Sequence, residues 1–332
     1  MVRLQNNFYK KVFDKLKTFY FKKFPELLKN RKTRRLLENR AKEDARYILP
    51  LATQTQLGTT INGRNLELII RRFASHQLQE INELGKKLYA KVKKIAPSII
   101  LFYKANDYDR NTYQGLYEFA QNLRIGGKRS GSKDVELIYY TPDADQKILA
   151  SLLFKVSGKD FKECLKTVQQ MSFNEKRELF KKACIHLELY DVVLREFEFA
   201  ELCYRLTVSG ACFGQLKRHR MVSITWQDYD PGLGVTVPEA ITEIGEKKGF
   251  MEIIKKTERL YKKIEKRFPG IGSYILTNAH QKRVLLNVNL RELYHISRLR
   301  EDPTAQWDIR RKVEKLSALA KRRLPITTLL LG

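Results

Sequence analysis

Apolar residues recur at the spacing of an amphipathic helix through much of this chain. Downstream of residue 140 this pattern predicts helices near 145–156, 159–170, 174–188 and 193–208. One strand is predicted before them, in KDVELIYYTPDA at 133–144, where an apolar run ends in a Thr-Pro-Asp turn. The pattern therefore predicts a helix-rich protein that contains some β-structure.

Two segments of the chain resemble each other. The helix pattern at 7–25 recurs at 249–269, and both copies end at Phe-Pro. Downstream, residues 47–73 align without a gap to 274–299 over most of their length, and each copy carries an Asn-x-Arg after a matching Tyr. Two similar blocks in the same order indicate a duplicated domain, since two copies are too few for a solenoid.

The duplication is unequal, because the stretch before the second copy has no counterpart before the first. We therefore predict three regions. Residues 1–95 form the C-terminal half of a first copy, 96–133 form a connector, and 134–332 form a complete second domain. The Gly-, Ser- and Lys-rich segment LRIGGKRSGSKD at 123–134 is the best linker candidate within the connector.

Charge suggests a class of ligand. The chain of 332 residues carries 64 Lys and Arg against 37 Asp and Glu, a net charge of +27. Such a charge attracts polyanions, including nucleotides, nucleic acids and anionic membranes, but does not choose among them. Many of these charges have helical spacing beside Glu, which is typical of solvated helix surfaces.

Cysteine and histidine spacing argues against a metal site. None of the four cysteines forms a CxxC pair, and the five histidines show no HxxxH or HxH spacing. We predict reduced core thiols in a cytoplasmic protein. No apolar run reaches the length of about 18–20 residues that a membrane helix requires.

The stretch QLKRHRMVSITWQDYDP, at 215–231, contains the strongest candidate chemistry. It follows a predicted helix at 194–210, and the alternation that starts at Leu216 predicts a strand. On a strand, Arg218 and Arg220 would share one face and His219 would take the other. Guanidinium groups about 6–7 Å apart suit a bidentate grip on a phosphate or on a polarised carbonyl. One more basic patch on a basic protein is the alternative interpretation.

Several motifs carry a family resemblance. Arg218-His219-Arg220-x-x-Ser223 resembles the RHRxxSxNExSxRY signature of flavin-dependent thymidylate synthases. NVNLRELYHISRLREDPTAQWDIRR, at 287–311, is similar to the family's helix with Asn-x-Arg-Ser-Leu. EDARYILPLATQT, at 43–55, looks like its Ala-Arg-x-x-Leu-Pro segment, and LIYYTPDA, at 137–144, resembles its first strand. The resemblance covers nearly all of 1–95 and 134–320, and members with two fused copies are the closest comparison.

The resemblance implies a fold and a reaction. The fold would be α/β (α+β), helix-rich with a central, mostly antiparallel sheet, and duplicated. The reaction would be the methylation of dUMP to dTMP, with methylenetetrahydrofolate as carbon donor and NADPH as reductant of a bound FAD. No cysteine nucleophile is required. Active sites would lie at subunit interfaces of a homo-oligomer, either a tetramer or a pseudo-tetrameric dimer, and neither a membrane nor a nucleic acid is expected as partner.

The resemblance also assigns residues. Those expected at FAD are Arg218, His219, Arg220, Ser223, Asn289, Arg291, His295 and Leu299. Those expected near dUMP are Gln215, Arg300, Arg46, Asn62 and Arg64. Arg300 and Arg218 would act in catalysis through their charge, and no metal ligand is expected.

The departures from the family pattern concentrate on the nucleotide side. Where the signature has Asn, Glu, a second Ser and a last Arg, this chain has Thr225, Trp226, Asp228 and Asp230. In the second copy, Ser273 replaces the arginine of the family's Ala-Arg-x-x-Leu-Pro segment. An Asp in place of a phosphate-binding Arg reverses the sign of the contact.

Four interpretations remain open. Arg46 and Arg64 of the first copy could complete a site at an interface, or the chain could be the C-terminal part of a longer two-copy enzyme. It could also be a catalytically degenerate subunit that binds FAD or a nucleotide. A nucleic-acid-binding protein is suggested by the charge alone.

Overall fold

The computed structural model describes residues 1–123, 125, 134–188 and 190–332. These residues form two compact units. The first contains Met1–Pro50, the described part of Ser132–Lys256, and Leu276–Gly332. The second contains the described part of Leu51–Gly131 and Thr257–Ile275. Most of the predicted linker at 123–134 lies outside the described residues, and the division at 95 and 134 stays a prediction.

Helices dominate the secondary structure. The α-helices of the described residues are α1 (Val2–Lys23), α2 (Arg31–Ala45), α3 (Gly63–Ala74), α4 (Gln79–Ile95), α5 (Asp107–Asn122), α6 (Ala144–Ser157), α7 (Phe161–Gln170), α8 (Phe173–Cys184), α9 (Gly210–Leu216), α10 (Glu239–Glu243), α11 (Lys247–Arg267), α12 (Leu290–Arg300) and α13 (Trp307–Lys321). Short 3-10 helices include Arg46–Ile48, Arg195–Phe199 and Gly272–Ile275. The strands are β1 (Val135–Tyr140), β2 (Glu201–Ser209), β3 (Ser223–Trp226) and β4 (Gln281–Asn289).

The four strands form one sheet in the order β1-β2-β4-β3, and every neighbouring pair is antiparallel. Strand β2 is central, with Tyr204 opposite Leu286 of β4. Its register with β1 shifts between Leu137 and Tyr139. The predicted class, a helix-rich α/β protein with a central antiparallel sheet, is confirmed.

The local predictions are partly confirmed. Strand β1 and helices α6, α7 and α8 lie where the apolar patterns place them. The helix predicted over 193–208 and 194–210 is wrong, because this stretch is a 3-10 helix followed by β2. A central strand with both faces largely buried has apolar side chains at nearly every position, so the alternation that distinguishes strand from helix is lost.

The strand predicted from Leu216 is also wrong at its start. Leu216 ends α9, a turn follows, and β3 begins only at Ser223. Because Arg218 and Arg220 lie in this turn, they do not share the face of a strand. Both are exposed, whereas His219 between them is 5% exposed.

The main core lies between the sheet and the helices that cover it. Its fully buried members include Tyr204 of β2, Leu286 of β4 and Leu316 of α13. The Tyr204 hydroxyl donates to the Leu316 carbonyl over 3.2 Å, which satisfies the polar end of a buried ring. This core fixes α12 and α13 against the sheet.

A second core of the first unit belongs to α1 and α2. Leu16 and Val12 of α1 are fully buried, and they pack in one cluster with Phe250 and Ile254. Buried polar groups continue this packing. The Asp44 carboxylate accepts from the Tyr20 hydroxyl and, over 2.8 Å, from Trp307 Nε1.

The second unit contains α3, α4 and α5. Gly85 of α4 allows a close approach to α3, since an added Cβ would lie 2.9 Å from the Cβ of Phe73. Arg71 Nε donates to Asp109 Oδ2 over 2.6 Å, and this ion pair connects α3 to α5. Helix α5 lies within the predicted connector.

The two repeated segments share a local geometry. Asn62 caps α3 with an Oδ1 that accepts from the backbone of Asn65, and Asn289 caps α12 by accepting from Glu292 in the same way. Both bonds measure 2.9 Å. A 3-10 helix includes the matching tyrosine in each copy, Tyr47 or Tyr274. Asn62 and Asn289 therefore perform the helix-capping role expected of asparagine, whatever else they bind.

Candidate functional site

Two short elements of the first unit bring the candidate residues together. Helix α9 is capped by Ser209, whose hydroxyl accepts from Cys212 N and donates to Asp308 Oδ2 over 2.6 Å. Gly210 begins the helix where a Cβ would lie 3.3 Å from the backbone of Asn278. The chain then turns through bonds from Arg218 N and from His219 N to the carbonyls of the last helical turn. This turn brings the His219 side chain inward.

Helix α12 supplies the other side of the site. Glu292 and His295 are three residues apart on this helix, so they share a face. Arg300 is its last residue, where the helix dipole favours a cation. The site therefore consists of one turn and one helix, both held by the main core.

Arg300 is the centre of a hydrogen-bond network. Its Nε donates to His219 Nε2 over 3.1 Å, and its Nη1 donates to Gln215 Oε1 over 3.2 Å. Arginine has no acceptor, so His219 Nε2 must accept and the proton of the neutral ring must lie on Nδ1. His219 Nδ1 is 3.8 Å from Glu292 Oε1. A polar chain thus runs from Arg300 through His219 toward Glu292.

The environment keeps His219 neutral. Burial lowers the pKa of His219 to about 4, with smaller contributions from Arg300 and His295. Burial also lowers the pKa of Arg300, assisted by the nearby charge of Arg218, and burial raises the pKa of Glu292. At neutral pH the site presents the charge of Arg300 beside an uncharged imidazole.

His219, Glu292 and His295 also have the composition of a metal site, because their ligand atoms all lie within 4.8 Å of one another. The sequence spacing could not reveal this set, since His219 joins it through the fold. A metal at His219 Nδ1 would require the proton on Nε2, where Arg300 donates. The donor set therefore fits a hydrogen-bond chain better than a metal ion.

The structure brings together only some of the residues that the resemblance assigns. Gln215, His219, His295 and Arg300 meet in one place. Arg218 is close enough for its charge to lower the pKa of Arg300, but it has no ion pair with any described carboxylate. Arg220 likewise has none among the described residues. These two exposed guanidinium groups are available to an anion.

Other assigned residues serve the fold. Arg291 donates to the Val193 carbonyl and, over 2.8 Å, to Glu198. Ser223 pairs with Asn287 at the start of β3. Leu299 is 48% exposed on α12. None of these three has a polar contact to Arg300 or His219 among the described residues, so their assignment to a cofactor stays a prediction.

Three further assigned residues belong to the first copy. Arg46, in the first unit, has buried Nε and Nη2 atoms without a hydrogen-bond partner among the described residues. The residue as a whole is half-buried, and its charge acts on the carboxylates of Glu43 and Asp44, whose pKa values it lowers against the larger effect of burial. Asn62 and Arg64 belong to the second unit. Their assignment to dUMP stays a prediction.

Sequence reasoning missed Glu292 and Lys282. The signal for Glu292 was its position three residues before His295. The Lys282 ammonium lies 4.3 Å from the ring centre of Tyr229 and 4.7 Å from that of Phe213. Burial lowers the pKa of Lys282. Its aromatic neighbours are scattered along the sequence, so only the fold brings them together.

The nucleotide-side departures also have local roles. Asp230, at the position of the signature's last arginine, accepts through Oδ1 from Gly232 N over 2.7 Å and caps a 3-10 turn. Asp228 is exposed and contributes its charge near Lys282.

The four cysteines form no disulfide; Cys164, Cys203 and Cys212 are buried and Cys184 is half-buried. Among the described residues no helix has the length and apolar character to cross a membrane.

Comparison with known proteins gives a consistent picture. The family model for thymidylate synthase complementing protein matches residues 4–98 and 136–326. A UPF0159 protein of Chlamydia muridarum is 26% identical over 310 residues, which cover 90% of this chain and 58% of that protein. A UPF0159 protein of Thermoplasma acidophilum is 27% identical over 285 residues, or 82% of this chain and 55% of that protein.

A relative with a named activity matches a shorter stretch. The flavin-dependent thymidylate synthase of Pyrococcus abyssi is 36% identical over 132 residues, which cover 34% of this chain and 52% of that protein. The chain thus spans between half and three fifths of the length of these curated relatives.

Proposed function

Because this chain belongs to the thymidylate synthase complementing protein family, we propose that it takes part in the flavin-dependent methylation of dUMP to dTMP. Methylenetetrahydrofolate would donate the carbon, and NADPH would reduce a bound FAD. The observation that carries the proposal is the Gln215–His219–Arg300 network, in which two motifs of the family resemblance contact each other.

The residues present fit a flavin dinucleotide. Exposed Arg218 and Arg220 have no carboxylate partner among the described residues, so both charges could pair with a pyrophosphate. Neutral His219 would hold Arg300 in position beside the ligand without adding charge. When bound, the flavin supplies the hydride chemistry, and the protein contributes binding, orientation and charge.

Arg300 would be the electrostatic group of the reaction. Its guanidinium is fixed by Gln215 and His219, so a charge that develops on a bound carbonyl oxygen could be stabilised without reorganisation. No cysteine is needed. Cys212, beside the site, is fully buried, and burial raises the pKa of its thiol well above the ordinary value.

A flavin-binding assay tests the proposal. The purified chain is expected to show flavin absorbance or to quench the fluorescence of added FAD, and Arg218→Gln with Arg220→Gln should weaken FAD binding at least tenfold. The control pair is Lys159→Gln with Lys162→Gln, which removes the same charge from another exposed part of the first unit. A chain that takes up no FAD would refute the proposal.

A second candidate function is favoured by Asp230. An aspartate that is committed to a turn stands where a phosphate-binding arginine is expected, so the chain could bind FAD or a nucleotide without catalysing the reaction. Formation of dTMP from dUMP, methylenetetrahydrofolate and NADPH by the purified chain alone would exclude this alternative. Flavin binding without dTMP formation would support it.

A further inference from the structure

The second unit contains a cavity that the proposed reaction does not use. Its volume is about 270 Å³, and its walls come from α3, α4 and the segment before and at the start of α5. Its lining includes Tyr89, Tyr103, Lys86, Lys104 and Arg110. We propose that this cavity binds a small anionic ligand with a planar ring, of the mononucleotide class.

The cavity combines an aromatic surface with positive charge. The rings of Tyr89 and Tyr103 stack with centroids 3.7 Å apart and planes inclined by 16°. The outer face of each ring carries a flexible ammonium side chain, with Lys93 Nζ 5.7 Å from the Tyr89 centre and Lys104 Nζ 5.9 Å from the Tyr103 centre. A planar ligand ring would cover an outer face by displacing one of these side chains. The apolar part of the wall comes from Ile70, Ala74 and Ala105.

The cations at the cavity have no acidic counterparts. No carboxylate of the described residues lines it, and Lys86, Lys104 and Arg110 form no ion pair within that part of the chain. The closest acidic residue in sequence, Asp109, is bound to Arg71 over 2.6 Å. These three charges are therefore available to an anion from solution.

The tyrosine pair itself responds to this positive charge. The hydroxyl of Tyr89, followed by the ammonium groups of Lys104 and Lys93, lowers the pKa of Tyr103. Lys104 Nζ lies 5.9 Å from the centre of the Tyr103 ring. A ligand ring on the stack would thus have a cation within reach of its phosphate.

Size and sequence position define the ligand further. A volume of about 270 Å³ lies just below the range of about 300–1,000 Å³ that is typical of ligand sites, which favours a small ligand such as a mononucleotide. The family model leaves residues 99–135 unmatched, and Tyr103, Lys104 and Arg110 come from that stretch. This cavity is thus completed by residues outside the part of the chain that defines the family.

Calorimetric titration of the full chain tests the proposal, with adenosine 5′-monophosphate, adenosine and ribose 5-phosphate as probes. The monophosphate should bind, and both fragments should bind at least tenfold more weakly. Lys86→Gln with Lys104→Gln should weaken the monophosphate at least tenfold. Lys87→Gln with Lys91→Gln removes the same charge from exposed positions of α4 outside the lining and should change nothing.

Further variants separate this cavity from the first unit. Tyr103→Leu should weaken the monophosphate about tenfold, whereas Tyr103→Phe should preserve binding because it keeps the ring. Arg300→Met should leave binding unchanged. The proposal is overturned if the monophosphate does not bind, if ribose 5-phosphate binds as tightly, or if Arg300→Met and not the Lys86 and Lys104 pair abolishes binding. Flavin uptake is measured separately, so either proposal can fail alone.

Discussion

Arg300 Nε donates to His219 Nε2 over 3.1 Å, and this contact joins the end of α12 to the turn after α9. A guanidinium can only donate, so the contact determines which nitrogen of the imidazole carries the proton. It also holds a positive charge next to a ring that burial already keeps neutral.

Arg300→Met should raise the pKa of His219 above its value of about 4. The value should stay below 6.5, because burial is the larger cause and remains. Titration of the imidazole signals by NMR measures the change, and nitrogen shifts report the tautomer. Arg322→Met, at an exposed position, is the control. An unchanged His219 pKa would show that Arg300 does not act on the ring.

Asp44→Ala should destabilise the protein by about 2–4 kcal/mol, because the Tyr20 hydroxyl and Trp307 Nε1 would lose their acceptor inside the fold. Asp44→Asn should cost less, since its amide can bond both groups. Urea unfolding measures the difference, with Asp14→Ala on the exposed part of α1 as control. Equal midpoints for the two alanine variants would contradict the role of Asp44.

Stability should fall as the pH drops from about 6.5 to about 4. Burial lowers the pKa of both His219 and His280 to about 4, whereas in the unfolded chain the value is near 6.5. The unfolded chain therefore takes up protons first, and stability that is fully present above pH 6.5 is lost across this window. Each histidine contributes up to about 3 kcal/mol.

The variant His280→Asn tests this pH dependence. Asparagine can still accept from Thr277 N, as His280 Nδ1 does over 3.0 Å, but it does not titrate. The slope of unfolding free energy against pH between 4 and 6.5 should become shallower in urea titrations of this variant. The same slope in both proteins would show that His280 does not account for the loss in acid.

Asp230→Arg should tighten the binding of dUMP at least tenfold if β3 and the segment after it face the nucleotide phosphate, as the family pattern implies. The lost cap at Gly232 should cost about 1 kcal/mol of stability. Calorimetry measures the affinity, and Asp14→Arg is the control because it makes the same charge change at an exposed position of α1. Equal gains in both variants would indicate a general charge effect.

Periodicity predicted α7 well, because its buried Cys164 and Val168 are one helical turn apart, and it also located α6 and α8. It failed at β2, where Leu202, Cys203 and Tyr204 are all buried and alternation disappears. It failed again after Leu216, because a turn can place His219 inward between two exposed arginines just as a strand would. Side-chain periodicity alone cannot distinguish these backbones.

The candidate site was partly predictable. Motif resemblance identified Gln215, His219 and Arg300, which the structure brings into contact. It could not identify Glu292, because Glu292 joins the site only when the fold brings α12 next to the turn that contains His219. It also could not show that Arg291 is engaged by Glu198, because that contact forms only when the 3-10 helix packs beside α12.

The bond from the Tyr47 hydroxyl to Asp308 has a consequence for biosynthesis, because 261 residues separate its ends. At ribosomal rates of 5–20 residues per second, about 10–50 s pass between the synthesis of Tyr47 and that of Asp308. During this time α1 and α2 exist without the partners that complete their core. The nascent chain therefore exposes an apolar helical hairpin until late in translation, and slow closure of long-range contacts should limit its folding rate.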